Sequence, residues 1–146
     1  MAEEHSRKAA CAGLAPRPRR RLRILIADDE RDQAMTLAAI LNDEGHDVRE
    51  VYRGIEALRL MANFDPDVAL VDIGMPGMTG YDVAREVREH YGTARPLLIA
   101  VTGWKKPSDR ILAQLAGFDH HLPKPFDSQR LLELLEPLAS GTAKGP

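Results

Sequence analysis

Four short apolar runs, each ending in a polar side chain, constrain what this chain can fold into more than any other feature. Leu22–Ala27 (LRILIA) runs into Asp28-Asp29, and Val68–Val71 (VALV) runs into Asp72. Pro96–Val101 (PLLIAV) runs into Thr102, and a fourth stretch ends at Lys124-Pro125. Runs of this length and near-continuous apolarity predict strands covered on both faces. In an open parallel sheet, the C-terminal strand ends form the edge where ligands bind. The pattern therefore predicts carboxylates, a hydroxyl and an ammonium gathered at one edge.

The segments between the runs have helical periodicity. Met35, Leu37, Ala38, Ile40 and Leu41 predict a first helix ended by Gly45. Val48–Tyr52 predicts a short strand, and Ile55, Leu58 and Met61 a second helix closed before Pro66. Pro76, Gly77 and Gly80 predict a loop behind Asp72, with Thr79 capping a helix that buries Val83, Ala84 and Val87. Ser108 is expected to cap a fourth helix with Ile111, Leu112 and Leu115 on one face and Gly117 as its stop. Phe118–Leu122 is expected as a weak fifth strand. Asp127 or Ser128 is expected to cap a last helix with Leu131, Leu134, Leu135 and Leu138 facing inward. Strand and helix alternating five times predict an α/β fold, a (βα)5 doubly wound parallel sheet of flavodoxin-like order 2-1-3-4-5.

The boundaries follow from composition. Residues 1–21 combine prolines, glycine, small residues and arginines, and cannot bury enough surface to offset the entropy of ordering; we expect a disordered basic tail. Residues 22–140 form one domain, and 141–146 a frayed end. The net charge is −2, and the first 23 residues carry seven basic side chains against two carboxylates, so the rest of the chain is distinctly acidic. The tail is read as a solvated extension rather than a nucleic-acid arm. The single cysteine, Cys11, rules out an internal disulfide framework. No apolar run is long enough to span a bilayer, and the N-terminus lacks the core of a secretory signal; a cytoplasmic location is expected.

Asp28, Asp29 and Asp72 fall on strands that neighbour each other in this order. Three carboxylates in one cleft repel unless a cation neutralises them or a pKa rises. Oxygen-only donors without nearby cysteine or histidine favour Mg²⁺ over zinc or copper, and Mg²⁺ in turn favours a phosphate oxygen as partner. Taken singly, each aspartate reads equally well as a cap or turn residue. Their coincidence with Thr102 and Lys124 at equivalent strand ends favours a phosphoryl site.

The stretches ILIADDERD (24–32), ALVDIGMPGMTGYDVAREVR (69–88), LIAVTGW (98–104) and GFDHHLPKPFD (117–127) match in order and spacing. On them the chain resembles the receiver domain of bacterial two-component response regulators, of the single-domain, chemotaxis-regulator-like kind. The resemblance implies that Asp72 accepts a phosphoryl group from a sensor histidine kinase or histidine phosphotransfer protein. It implies that Asp28, Asp29, Asp72 and the backbone carbonyl of Gly74 bind Mg²⁺, and that Thr102 and Lys124 bind phosphoryl oxygens. It further implies a cis Lys124-Pro125 bond and a switch through Thr102 and the position of His121, where the family usually has an aromatic residue. That switch would repack the face of helix four, strand five and helix five for an unknown downstream protein. Trp104 and Gly74 lie at the cleft mouth, where the indole would shield the phosphoryl group and the glycine admit water. A receiver belonging to a larger hybrid kinase is a close variant. From other classes, a Mg²⁺-dependent phosphatase with an aspartate nucleophile and a nucleic-acid binder using the arginine tail remain as alternatives. The phosphatase lacks its DxDx[TV] motif here.

Overall fold

A computed structural model describes residues 20–103 and 107–141. Five strands alternate with five helices: β1 (Arg23–Ala27), α1 (Arg31–Asp43), β2 (Asp47–Val51), α2 (Gly54–Phe64), β3 (Val68–Asp72), α3 (Gly80–Tyr91), β4 (Leu97–Thr102), α4 (Pro107–Ala116), β5 (His120–Pro123) and α5 (Ser128–Ala139). All strand pairs are parallel, in the order β2-β1-β3-β4-β5. This is the expected doubly wound sheet.

Side chains on a strand alternate between faces, and the core divides accordingly. Ile24 and Ile26 of β1, Val68 and Leu70 of β3, and Ile99 and Val101 of β4 meet α1 and α5 on one face. Leu25 and Ala27, Ala69 and Val71, and Leu98 and Ala100 meet α2, α3 and α4 on the other. Every residue of β3 is buried, as befits the central strand of a covered sheet.

The helix ends obey local chemistry. Thr79 forms a reciprocal capping box with Asp82, each side chain accepting from the other residue's backbone N–H. Asp127, rather than Ser128, caps α5 by accepting from the Gln129 N–H at 3.0 Å. Gly45 follows α1 at φ +95°, a conformation open to glycine. Ser108 is not a cap: α4 already begins at Pro107, and proline suits a first turn because its missing N–H has no partner there anyway.

Several expectations about buried faces need correction. Ile111, Leu112 and Leu115 point outward, 57%, 50% and 79% exposed, and α4 instead buries Ala113 and Ala116. Two methyl side chains let the helix lie close to the sheet, where leucines on that stripe would hold it away. Met35 and Ile55 are likewise exposed, because α1 buries the stripe Ala34, Leu37, Ala38 and Leu41 and α2 buries Ala57, Met61 and Phe64. The fifth strand is His120–Pro123, not Phe118–Leu122, and β2 starts and ends one residue early. Gly117 turns the chain at φ +116°, so Phe118 enters the core from the turn and its N–H still bonds back to the Ala113 carbonyl at 3.0 Å.

Two ionic groups, buried Asp67 and partly buried Arg88, brace the framework. Asp67, at the foot of β3, accepts from the Arg20 and Arg95 guanidinium groups, both at 2.9 Å, and from the Arg23 N–H at 2.8 Å. Arg20, assigned by composition to the tail, is thus held, and its N–H also donates to the Ala139 carbonyl at 2.6 Å. Arg88 of α3 donates to the Gly117 and Pro96 carbonyls and pairs with Asp119 at 2.7 Å, so one guanidinium ties α3 to the starts of β4 and β5. Residues 1–19 of the basic tail, with Cys11, lie outside the described residues.

At Gly80, α3 passes close to the backbone at the end of β3. A methyl group there would meet the Asp72 carbonyl oxygen at 2.6 Å and Ile73 Cα at 2.7 Å, both backbone atoms that cannot step aside. Gly80→Ala is expected to cost about 2 kcal/mol of stability in urea unfolding. A loss under about 0.5 kcal/mol would show that the α3–β3 packing yields.

Candidate functional site

Sheet register brings the site together. Ala27 of β1 lies beside Val71 of β3, so Asp28 and Asp72 follow on adjacent strands. Asp72 lies beside Val101 of β4, so Thr102 stands one residue further along. Thr102 pairs with Pro123 of β5, and the Lys124 N–H donates to the Thr102 carbonyl at 2.7 Å. The Lys124-Pro125 peptide is cis, as the resemblance implied; Arg95-Pro96 is also cis, which no sequence feature had suggested.

Asp28 and Asp72 are buried and Asp29 is exposed at the mouth. Each of the three offers a carboxylate oxygen within 4.8 Å of the others. Lys124 Nζ lies 3.2 Å from Asp28 Oδ2, 3.4 Å from Glu30 Oε1 and 3.5 Å from Asp72 Oδ1. Glu30, at the N-cap of α1, was not foreseen as part of this cluster; its place next to the aspartate pair was the signal. Its backbone N–H donates to Asp28 Oδ1 at 2.9 Å. The Gly74 N–H donates to Asp72 Oδ1 at 3.3 Å. Thr102 is buried at the end of β4.

The electrostatics follow from the crowding. Burial, then the neighbouring Asp28 charge, push the Asp72 carboxyl up to about 7; Lys124 and the Gly74 N–H pull it back only in part, and Asp29 adds to the rise. Burial pulls the Lys124 ammonium down, but Asp72, Asp28 and Glu30 outweigh it and hold it above its ordinary value. Lys124 and Asp28 thus pull the Asp72 carboxyl in opposite directions, and burial with carboxylate repulsion prevails.

The donor set fits a hard cation. Its oxygens converge, no histidine or cysteine competes, and Asp28 Oδ2 is buried without a hydrogen bond, though Lys124 stands near it. A second group, Glu86, Glu89 and His90, lies on the surface of α3, where His90 Nδ1 already meets the Glu86 carbonyl at 3.0 Å.

His121 is half-buried on β5, and its Nε2 is buried without a hydrogen-bond partner among the described residues. Burial first, then the Arg110 cation, lower its pKa, while Asp109 opposes them. The neutral ring is thereby favoured, which reduces the protonation effect that a histidine at this position suggested. Beside it a groove of about 230 Å³ is lined by Arg110, Ala113, Gln114, Phe118 and Arg130. Trp104 lies outside the described residues.

Among the described residues no helix is long and apolar enough to cross a membrane. Comparison with known proteins agrees with the geometry. Residues 24–136 match the family described as the response regulator receiver domain. A response regulator, MprA, from Mycobacterium sp. (strain KMS) is 36% identical over 127 residues, which cover 86% of this chain and 54% of that protein. The chain thus spans about half the length of the curated relatives it matches. Among solved structures, a response regulator receiver domain protein from Methanospirillum hungatei JF-1 superposes with a TM-score of 0.75 at 27% identity, covering 84% of this chain and 97% of that one. The signal receiver domain of a signal transduction histidine kinase from Syntrophus aciditrophicus gives a TM-score of 0.75 at 29% identity, covering 86% and 95%. Sheet order, site and matched residues agree: the chain belongs to the receiver domain family of response regulators.

Proposed function

We propose that this chain is a phosphoacceptor, modified on Asp72 by a histidine kinase or a histidine phosphotransfer protein and read by a downstream partner in its modified form. The observation that supports this most is the convergence of three carboxylates and one ammonium on a single strand-end pocket. An ionised Asp72 oxygen attacks phosphorus, the phosphorus–nitrogen bond of the donor phosphohistidine breaks, and the proton needed by the leaving imidazole comes from solvent. Asp28, Asp29, Asp72 and the Gly74 carbonyl would hold Mg²⁺, which neutralises carboxylate and phosphoryl charge when bound. Lys124 supplies a second, mobile positive charge, and the Thr102 hydroxyl donates to a phosphoryl oxygen. Little covalent assistance is needed, because phosphoryl transfer depends chiefly on position and charge.

The added dianion offers Thr102 and Lys124 interactions absent before modification, and only such a differential interaction can shift a conformational balance. The face built from α4, β5 and α5, with His121 and its groove, is the surface we assign to the partner. A cytoplasmic location accords with a kinase donor.

The test is incubation with phosphoramidate, with and without Mg²⁺, followed by intact-mass measurement. One hydroxylamine-labile phosphoryl group, gained only with Mg²⁺, is the expected result. No gain in mass overturns the reading, and steady turnover of donor without a stable adduct favours the phosphatase instead.

Gly74 predicts the lifetime of the adduct. A methyl group there would touch nothing within 4 Å, so the residue leaves open space two positions from the acceptor. Gly74→Asn or Gly74→Leu is expected to lengthen the phosphoryl half-life severalfold by hindering the attacking water. Unchanged decay would place the path of water elsewhere.

A further inference from the structure

Glu30 has no part in the phosphoacceptor scheme, yet it touches Lys124, the pocket's cation among the described residues. Its backbone is fixed at the N-cap of α1, with its N–H bonded to Asp28 Oδ1 at 2.9 Å, so its Cα cannot drift from the pocket rim. Its side chain is 65% exposed and reaches Lys124 Nζ at 3.4 Å, while the lysine side chain is only 16% exposed. Lys124 therefore sits among three carboxylates, two from the pocket floor and one from the rim.

Resting on the phosphoacceptor reading, we infer that Glu30 is a positioning residue that competes with the phosphoryl oxygens for the Lys124 ammonium. A phosphoryl group on Asp72 must draw the lysine from its resting partners. A cation held by Asp28 and Asp72 would engage those two carboxylates, whereas Glu30, at the rim, would keep its claim on Lys124. The rim carboxylate then sets how completely the lysine is given to the phosphoryl group. Asp28 and Asp72 cannot tune this step without losing the pocket, whereas Glu30 can, because its side chain contributes nothing to the core. The consequence is a chain-specific control on the balance between unmodified and modified forms.

The experiment is a double-mutant cycle on the full chain, reading affinity for beryllofluoride in the presence of Mg²⁺. Beryllofluoride is a tetrahedral stand-in for the phosphoryl group and requires no turnover. Glu30→Gln, which keeps shape and removes charge, is expected to tighten binding about threefold, the scale of a half-exposed ion pair. The same substitution in a Lys124→Met background, which retains the aliphatic stem, is expected to change nothing. An unaltered affinity in Glu30→Gln overturns the inference. So does an equal tightening in both backgrounds, which would mean that the carboxylate merely repels the anion. Failure of the parent chain to bind beryllofluoride at all would sink the phosphoacceptor reading itself, and this inference with it. Thermal melts of all four proteins show whether each is folded.

Discussion

Replacing Asp72 by asparagine is expected to abolish phosphorylation by phosphoramidate or by any cognate kinase, with the rate falling at least about a thousandfold. The amide keeps the size of the side chain and can still accept the Gly74 N–H, so the loss is of nucleophilicity rather than of shape. Neither remaining aspartate should take over. Asp28 is buried with one oxygen committed to the Glu30 N–H, and Asp29 stands exposed at the rim without the Gly74 donor. Intact mass with and without hydroxylamine decides the matter. A labile phosphoryl group retained in the asparagine protein would move the acceptor to another residue and remove the mechanism.

The same substitution should stabilise the metal-free protein, and increasingly so as the solution becomes alkaline. Folding raises the Asp72 pKa from its ordinary value of 3.8 to about 7. Below the lower value both folded and unfolded chains hold the proton, and the site imposes no charge penalty. Between the two values the unfolded chain has released its proton and the folded chain keeps it, so stability falls as pH rises. Above about 7 the folded chain is also ionised, and the full penalty persists. Asparagine carries no such charge. Its melting temperature should exceed that of the parent by several degrees at about pH 8, and by less at about pH 5. An opposing effect is the lost Lys124 contact at 3.5 Å, but the lysine keeps Asp28 at 3.2 Å and Glu30 at 3.4 Å, so relief of carboxylate repulsion prevails. Added Mg²⁺ should raise the parent melt more than that of the variant. An equal difference between the two proteins at both pH values would show that the Asp72 charge is not confined as described.

What the sequence revealed follows from which forces are local. Strand cores such as Leu22–Ala27 and Val68–Val71 are legible because burial on both faces demands continuous apolar residues, and their polar ends follow directly. Thr79 is legible as a cap because its partner Asp82 lies only three residues away. The inner face of α4 was not legible because helical periodicity identifies an apolar stripe without saying what covers it. Ile111, Leu112 and Leu115 form such a stripe, yet the sheet accepts only the alanines beside them. Arg88 and Asp67 escaped notice for a different reason. Their partners lie about 30 to 50 residues away in the chain, and nothing in a single charged residue announces that it will be buried against them. Glu30 was passed over because the two aspartates before it already explained the local motif. Only the position of Lys124, brought from the far end of the chain, gives Glu30 a partner.

The outward leucines of α4 also determine what it costs to detach that helix. Lifting α5 away would expose Leu131, Leu134 and Leu135 to water, an expense of several kcal/mol. Lifting α4 would newly wet, of its own described side chains, only Ala113 and Ala116 among the buried ones, because Ile111, Leu112 and Leu115 are hydrated already. Opening α4 thus disturbs hydration less than opening α5, and excursions of the backbone should favour α4 over α5.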